Sequence, residues 1–323
     1  MGQLYYKNLY DEFFNRYPKD ATEFFAVSGY LGPDPLMQLN TLPFNSRIIF
    51  GLQKENKNLA LHQQLLSLNS KKVNILYPEI CSHAKCYVWL KDGKPIRGLI
   101  GSANFSINGL SNDYRETLLE VESLDLHPLL AYINTLVDSA IDCSSADINN
   151  FKSLPVAQVA SADCVLELFD PSTNEVQDMS GLNWGFSNGK VGVGDAYIAI
   201  RMKHLKAHPN LFQPKFYNPK DGHRSRSKSK EVAEIIWDDG VVMKVLFEGS
   251  QELNGNTYPK QISSIPRKNI LGDYIRDRID KPKMTAKRNP IDKITRQDLL
   301  KYGRDKITLS LIQPGLYKAD FSI

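Results

Sequence analysis

A chain of 323 residues has room for two domains, and its 42% hydrophobic and 24% charged residues exclude a disordered or fibrous protein. No apolar run approaches the ~20 residues that a membrane helix needs, and the aromatic, charged start MGQLYYKNLYDEFFNRYPKD has no signal-peptide core, so a cytoplasmic protein without a membrane partner is expected. The net charge of +4 is uneven: residues 1–150 hold 13 Lys+Arg against 16 Asp+Glu, and residues 151–323 hold 27 against 20, which places any polyanionic partner on the second half.

In the first half, strands and helices alternate. Glu23–Leu31 and Ser46–Leu52 read as buried strands, Asn58–Leu68 as a helix, and Lys72–Tyr77 as a further strand. A hairpin follows: His83–Leu90, a turn at Asp92-Gly93, and Arg97–Asn104 returning. Arg115–Val121 is strand-like and Leu126–Ile141 helical. This order predicts an α/β sandwich. Residues 143–162 are small, polar and weakly patterned, which makes 146–162 the expected linker between domains at 1–145 and 163–323.

The second half carries short strand signals at Cys164–Phe169, Ala196–Met202, Ala233–Trp237, Val241–Phe247, Ile307–Ile312 and Leu316–Phe321. Asp238-Asp239-Gly240 marks a hairpin turn. Helices are expected over Asn269–Arg278 and after Thr295, a good N-cap. The pattern predicts a β-barrel with two small helices. Lys220–Lys230 reads as a polar basic loop. The four cysteines, Cys81, Cys86, Cys143 and Cys164, form no C-x-x-C pair and no zinc spacing, so reduced thiols and no metal site are expected.

The chemistry concentrates in residues 81–106, CSHAKCYVWLKDGKPIRGLIGSANFS. In a strand, His83, Lys85, Tyr87 and Trp89 share one face, and Ala84, Cys86, Val88 and Leu90 share the other, turned to the core. On the return strand Ser102 and Asn104 share a face. An imidazole can attack or donate a proton, while Lys, Ser and Asn can donate hydrogen bonds to negative oxygens. That set suits a phosphodiester. His204-Leu-Lys206 repeats the H-x-K spacing, but no G-S-x-N follows it, so it reads as surface.

His83, Lys85, Gly101-Ser102-Ala103-Asn104, Phe105-Ser106, Gly109-Leu110 and Glu116 together resemble the phospholipase D superfamily, whose pattern is H-x-K-x4-D, then G-S-x-N and a downstream acid. Position 90, where that Asp would fall, is Leu90. The resemblance implies a metal-free reaction through a covalent phosphohistidine on His83. Lys85, Ser102 and Asn104 would hold the phosphate oxygens, and Glu116, with Glu120 as a substitute, would orient the imidazole. One motif per chain implies a homodimer in which a second histidine comes from the partner.

The second half resembles the B3-like DNA-binding barrel of NgoFVII/NgoAVII-type restriction endonucleases. The resemblance is carried by Ser180–Gly185 leading into Ala196–Ile200, Trp237–Gly240, Lys260–Ile262, Leu271–Arg278, Ile294–Arg304 and Lys318–Ser322. It implies a barrel gripping double-stranded DNA with two arms, at Asn183–Lys190 and Asn254–Gln261. Asn183, Ser187, Asn188, Lys190, Lys260 and Gln261 are the candidate contacts, with Trp184, Arg276, Arg278 and Arg304 read as structural. It also implies a separate helicase-like ATPase partner. No G-x4-G-K-[S/T] occurs, and Gly185–Lys190 is one residue short and lacks the hydroxyl, so any ATP chemistry belongs to that partner and no cofactor is expected here.

Three alternatives stand beside a site-specific DNA endonuclease. One is a lipid phosphodiesterase. A second is a metal-dependent nuclease using Pro33-Asp34 and Glu55-Asn56-Lys57, a pattern that needs E-x-K on a strand. The third is a DNA-binding module with a degenerate site.

Overall fold

The computed structural model describes residues 2–147, 149, 163–215, 232–280 and 292–323. The chain folds as two compact units, Met1–Gln158 with Ile312–Leu316, and Val159–Leu311 with Tyr317–Ile323. Nearly all of the expected linker and the whole basic tract 220–230 lie outside the described residues.

The first unit is built on β1 (Leu4–Tyr5), α1 (Leu9–Phe14), β2 (Glu23–Ser28), α2 (Pro33–Leu39), β3 (Asn45–Phe50), α3 (Leu59–Leu68), β4 (Val73–Tyr77), β5 (Cys86–Lys91), β6 (Lys94–Gly101), α4 (Ile107–Ser111), β7 (Leu118–Glu120), α5 (Leu126–Asp138) and β8 (Ile141–Asp142). The strands form one sheet in the order β1-β7-β6-β5-β2-β3-β4-β8. β2, β3 and β4 are parallel, and β5, β6 and β7 continue the sheet antiparallel. Both faces are covered, which is why β2 and β3 read as continuous apolar runs. On one face Phe25, Val27, Ile49, Cys86, Val88 and Leu90 pack against Leu130, Ile133 and Leu136 of α5. On the other, Phe13 of α1 meets Phe24, Tyr87, Trp89 and Phe105.

That aromatic layer corrects one expectation. Tyr87 and Trp89 do not share a polar face with His83 and Lys85; they are fully buried. The strand begins only at Cys86, so His83 and Lys85 stand on the extended segment leading into it. The hairpin turn falls where expected, with Asp92 and Gly93 both at positive φ. Helices α1, α2 and α4 are too short for periodicity to reveal, and were not anticipated.

The second unit contains β9 (Cys164–Glu167), β10 (Ile198–Ala199), α6 (Met202–Ala207), β11 (Val232–Trp237), β12 (Val242–Glu248), β13 (Gln251–Leu253), β14 (Asn256–Tyr258), β15 (Gln261–Ser264), α7 (Asn269–Asp280), α8 (Arg296–Tyr302), β16 (Lys306–Gln313) and β17 (Leu316–Asp320). Seven strands form a sheet in the order β10-β15-β12-β11-β17-β16-β9, and its end strands β10 and β9 approach each other, which curls it into a nearly closed barrel. Trp237, Val245, Ile262, Leu271, Ile275, Leu299 and Phe321 fill its core. Thr295 caps α8 as its sequence suggests: Thr295 N–H donates to Asp298 Oδ2 (2.9 Å) and Asp298 N–H to Thr295 Oγ1 (3.3 Å).

Two departures mark this unit. The expected strand Ala196–Met202 is only two residues long, and the chain turns into α6. His204 on α6 is therefore not a surface residue. It is buried, its Nδ1 accepts the Arg201 N–H (3.0 Å), and its Nε2 meets Glu167 Oε2 (3.1 Å). Burial lowers its pKa, against the pull of Glu167. The segment Asn254–Gln261 also contains more structure than expected, because Asn254-Gly255, both at positive φ, turn the β13–β14 hairpin.

Candidate active site

Of the residues singled out at 83–116, His83 and Asn104 meet at the C-terminal end of β2. His83 is exposed on the segment between β4 and β5. That segment is braced by Ser82, whose N–H donates to the Gly51 carbonyl (2.9 Å) and whose hydroxyl meets the Tyr132 hydroxyl (2.8 Å). Gly51 is required here: a Cβ on it would lie 2.0 Å from the Ser82 carbonyl oxygen.

The His83 ring lies over Gly29, the residue after β2. A Cβ on Gly29 would stand 2.5 Å from His83 Cδ2, 3.3 Å from its Nε2 and 3.4 Å from Asn104 Oδ1. The imidazole and the Asn104 amide thus flank one small space. The Tyr30 ring stands edge-on to the imidazole, with centroids 6.1 Å apart.

Lys85 is 8% exposed and its ammonium donates to the His83 carbonyl (2.6 Å). Burial lowers its pKa, and the Glu116 carboxylate works in the opposite sense. Glu116 is thus the acid whose charge reaches Lys85. Glu120 is engaged elsewhere, accepting from Tyr5 Oη (2.5 Å) and Arg97 Nη2 (3.3 Å).

Ser102 lies just beyond β6. Its N–H donates to the Thr117 carbonyl (3.0 Å) and its hydroxyl accepts the Thr117 N–H (3.1 Å), leaving the hydroxyl proton available. The rest of the motif is support. A Cβ on Gly101 would lie 2.1 Å from the Thr117 carbonyl oxygen, and one on Gly109 would lie 2.3 Å from the Asn104 carbonyl oxygen. Ser106 caps α4 by accepting the Gly109 N–H (3.1 Å). Sequence reasoning missed Ser28, Gly29 and Tyr30, having run the β2 strand through to Leu31. A glycine directly after an apolar strand was the available signal.

The rival metal-nuclease pattern lacks the strand it needs. Asp34 is buried at the start of α2 and accepts from Tyr10 Oη (3.0 Å), while Glu55 is exposed in a turn rather than on a strand.

The candidate DNA contacts of the second unit separate into two kinds. Asn183 is a correction. It is 0% exposed, its Nδ2 donates to the carbonyls of Ile294 (2.8 Å) and Gln177 (3.2 Å), and its Oδ1 accepts the Ile294 N–H (2.8 Å). With every amide group turned onto backbone, it has nothing to offer a base. Asn188, Lys190 and Lys260 are exposed, and Ser187 and Gln261 half-buried. Gln261 Nε2 already donates to Glu248 (3.3 Å), which also accepts from Ser263 and Lys268. Trp184 packs against Tyr197 and Lys268. Arg276 donates to the carbonyls of Gly194 and Leu182, Arg278 to Asp238, and Arg304 to the Ser322 carbonyl.

Replacing Asn183 by Ala strands the buried Ile294 N–H and carbonyl. Urea unfolding should show a loss of about 1–3 kcal/mol, with DNA affinity of the folded protein unchanged. Lost affinity at unchanged stability would restore Asn183 as a DNA contact.

Residues 7–150 match the NgoFVII restriction endonuclease N-terminal PLD domain, and residues 160–313 match the NgoFVII C-terminal B3-like DNA-binding domain. No curated protein matches. Among solved structures, similarity is found to NucT from Helicobacter pylori (15% identity, 44% of this chain and 98% of that one, TM-score 0.32). It is also found to Nuc, a phospholipase D family member from Salmonella typhimurium (13% identity, 38% and 82%, TM-score 0.30). A third is the polyphosphate kinase from Porphyromonas gingivalis (11% identity, TM-score 0.32), where 44% of this chain spans only 23% of that one. Among the described residues no helix is long and apolar enough to cross a membrane. With a phosphodiesterase domain and a DNA-binding domain matched in that order along nearly its whole length, the chain belongs to the NgoFVII restriction endonuclease family, and it is a DNA endonuclease.

Proposed function

We propose that this chain cuts double-stranded DNA at a specific sequence, without a metal, through a phosphohistidine formed on His83. The observation that carries this reading is the meeting of the His83 ring and the Asn104 amide over Gly29, with Lys85 anchored to the His83 backbone. An imidazole nitrogen attacks phosphorus, a P–N bond forms, and the P–O bond to the leaving strand breaks. Lys85, Asn104 Nδ2 and the Ser102 hydroxyl donate to the non-bridging oxygens as charge builds on them. The leaving oxygen needs a proton, and the intermediate needs an activated water.

A second histidine supplies both. The sequence motif occurs once, so His83 of a second copy takes that role in a homodimer with the site between the two chains. Glu116 is the acid proposed to orient the imidazole, since the substitute Glu120 is engaged by Tyr5 and Arg97. The B3-like unit selects the sequence, with Ser187, Asn188, Lys190, Lys260 and Gln261 as its contacts. ATP hydrolysis, where the system uses it, belongs to a separate helicase-like subunit.

Plasmid digestion in EDTA tests the chemistry. Wild type should cut, and His83→Ala should lose on the order of 10³-fold or more, as removal of an enzyme's nucleophile does. Equal cutting by the variant, or no cutting by wild type in EDTA, would sink the reading. The same wild-type protein should sediment as a dimer; a fully active monomer contradicts the shared site.

Lys85 gives a pH signature. Its lowered pKa means that the ammonium deprotonates below the ordinary lysine value of 10.5, so the cutting rate should fall on an alkaline limb below that value. Arginine stays protonated throughout. The limb should therefore be absent from whatever activity Lys85→Arg retains, and a limb unchanged in that variant would assign it to another group.

A further inference from the structure

We infer that Ser28-Gly29-Tyr30, the turn that ends β2, is a positioning element that seats both His83 and Asn104. The inference rests on the reading of His83 as nucleophile.

Three observations converge on it. First, Gly29 is not a glycine for backbone reasons. Its φ lies outside the left-handed region, so any residue could adopt its conformation. Space demands it: the nearest atoms to an added Cβ belong to the His83 ring and the Asn104 amide, the two groups proposed to attack and to donate.

Second, the turn fixes which way the Asn104 amide points. The Tyr30 N–H donates to Asn104 Oδ1 (3.1 Å), and the Ser28 hydroxyl lies 3.4 Å from the same oxygen. With the Tyr30 N–H donating on that side, the oxygen faces the turn and the NH₂ group is left for the phosphate. Third, Ser28 is fully buried and links the turn to the motif. Its hydroxyl donates to the Tyr30 carbonyl (2.6 Å) and accepts the Phe105 N–H (2.8 Å). The turn and the segment 103–105 therefore move as one piece.

The consequence is that one strand end sets the relative position of nucleophile and oxyanion donor. A displacement of about 1 Å at such a site costs on the order of 100-fold in rate. Gly29→Ala tests this with one methyl group. The atoms in its way belong to a side-chain ring, so the imidazole shifts and the backbone stays.

The expected result has four parts. Cutting falls on the order of 100-fold, DNA affinity is unchanged, and the melting temperature is retained. The His83 imidazole resonances, identified by their loss in His83→Ala, move. A variant that cuts at the wild-type rate overturns the inference, and so does one that loses activity with those resonances unmoved. If His83→Ala itself cuts like wild type, the nucleophile reading has failed, and the resonance shift in Gly29→Ala still decides whether the turn seats the ring.

Discussion

The hydroxyl of Ser28 is the point on which the first unit's site depends. It is buried at the end of β2, where a polar group without a partner would be costly. Its partners are the Tyr30 carbonyl and the Phe105 N–H, so satisfying it ties the strand end to the segment that carries Asn104. Tyr87 pulls on the same segment from below, donating its hydroxyl to the Ala103 carbonyl (2.5 Å). Asn104 is thus held from both sides by groups rooted in the sheet. Rigid elements place reacting groups more accurately than free loops do.

The sheet can act as this root because both its faces are packed. Trp89, Tyr87, Phe24 and Phe105 interlock on one side, and α5 covers the other. Tyr87 joins the two roles: its ring belongs to the aromatic layer and its hydroxyl reaches the motif backbone. The active-site end of this layer is where the apolar pattern stops. Beyond Cys86 toward the N-terminus the chain leaves the sheet, and the buried Lys85 and the exposed His83 follow.

The second unit uses its polar residues differently. Asn183, Arg276 and Arg278 are buried and spend their donors on backbone carbonyls or on Asp238. Burial raises the Asp238 pKa, but the Arg278 hydrogen bonds and the Phe321 N–H outweigh it, so the carboxyl sits below the usual range. Its contribution to stability is complete at neutral pH and fades as pH falls through that lowered value. Residues that look alike in sequence, such as Asn183 and Asn188 in one short loop, thus divide into those that hold the barrel and those left exposed at its surface.

Much of this was legible in the sequence because it is local. Asp92-Gly93 and Asp238-Asp239-Gly240 located turns, and Thr295 located a helix start, each through contacts within a few residues. The spacing of His83, Lys85, Ser102 and Asn104 singles them out for the same reason, since one short stretch of chain carries all four. What the sequence could not show depends on partners far along the chain. Gly29 meets His83, Ser28 meets Phe105, Asn183 meets Ile294, and Glu120 meets Arg97 and Tyr5. Whether an amide reads a base or clamps a loop, and whether a histidine is exposed like His83 or buried like His204, is decided by those distant packings. Local pattern carries the period of a strand and the chemistry of a side chain; only the folded chain determines what each side chain finds beside it.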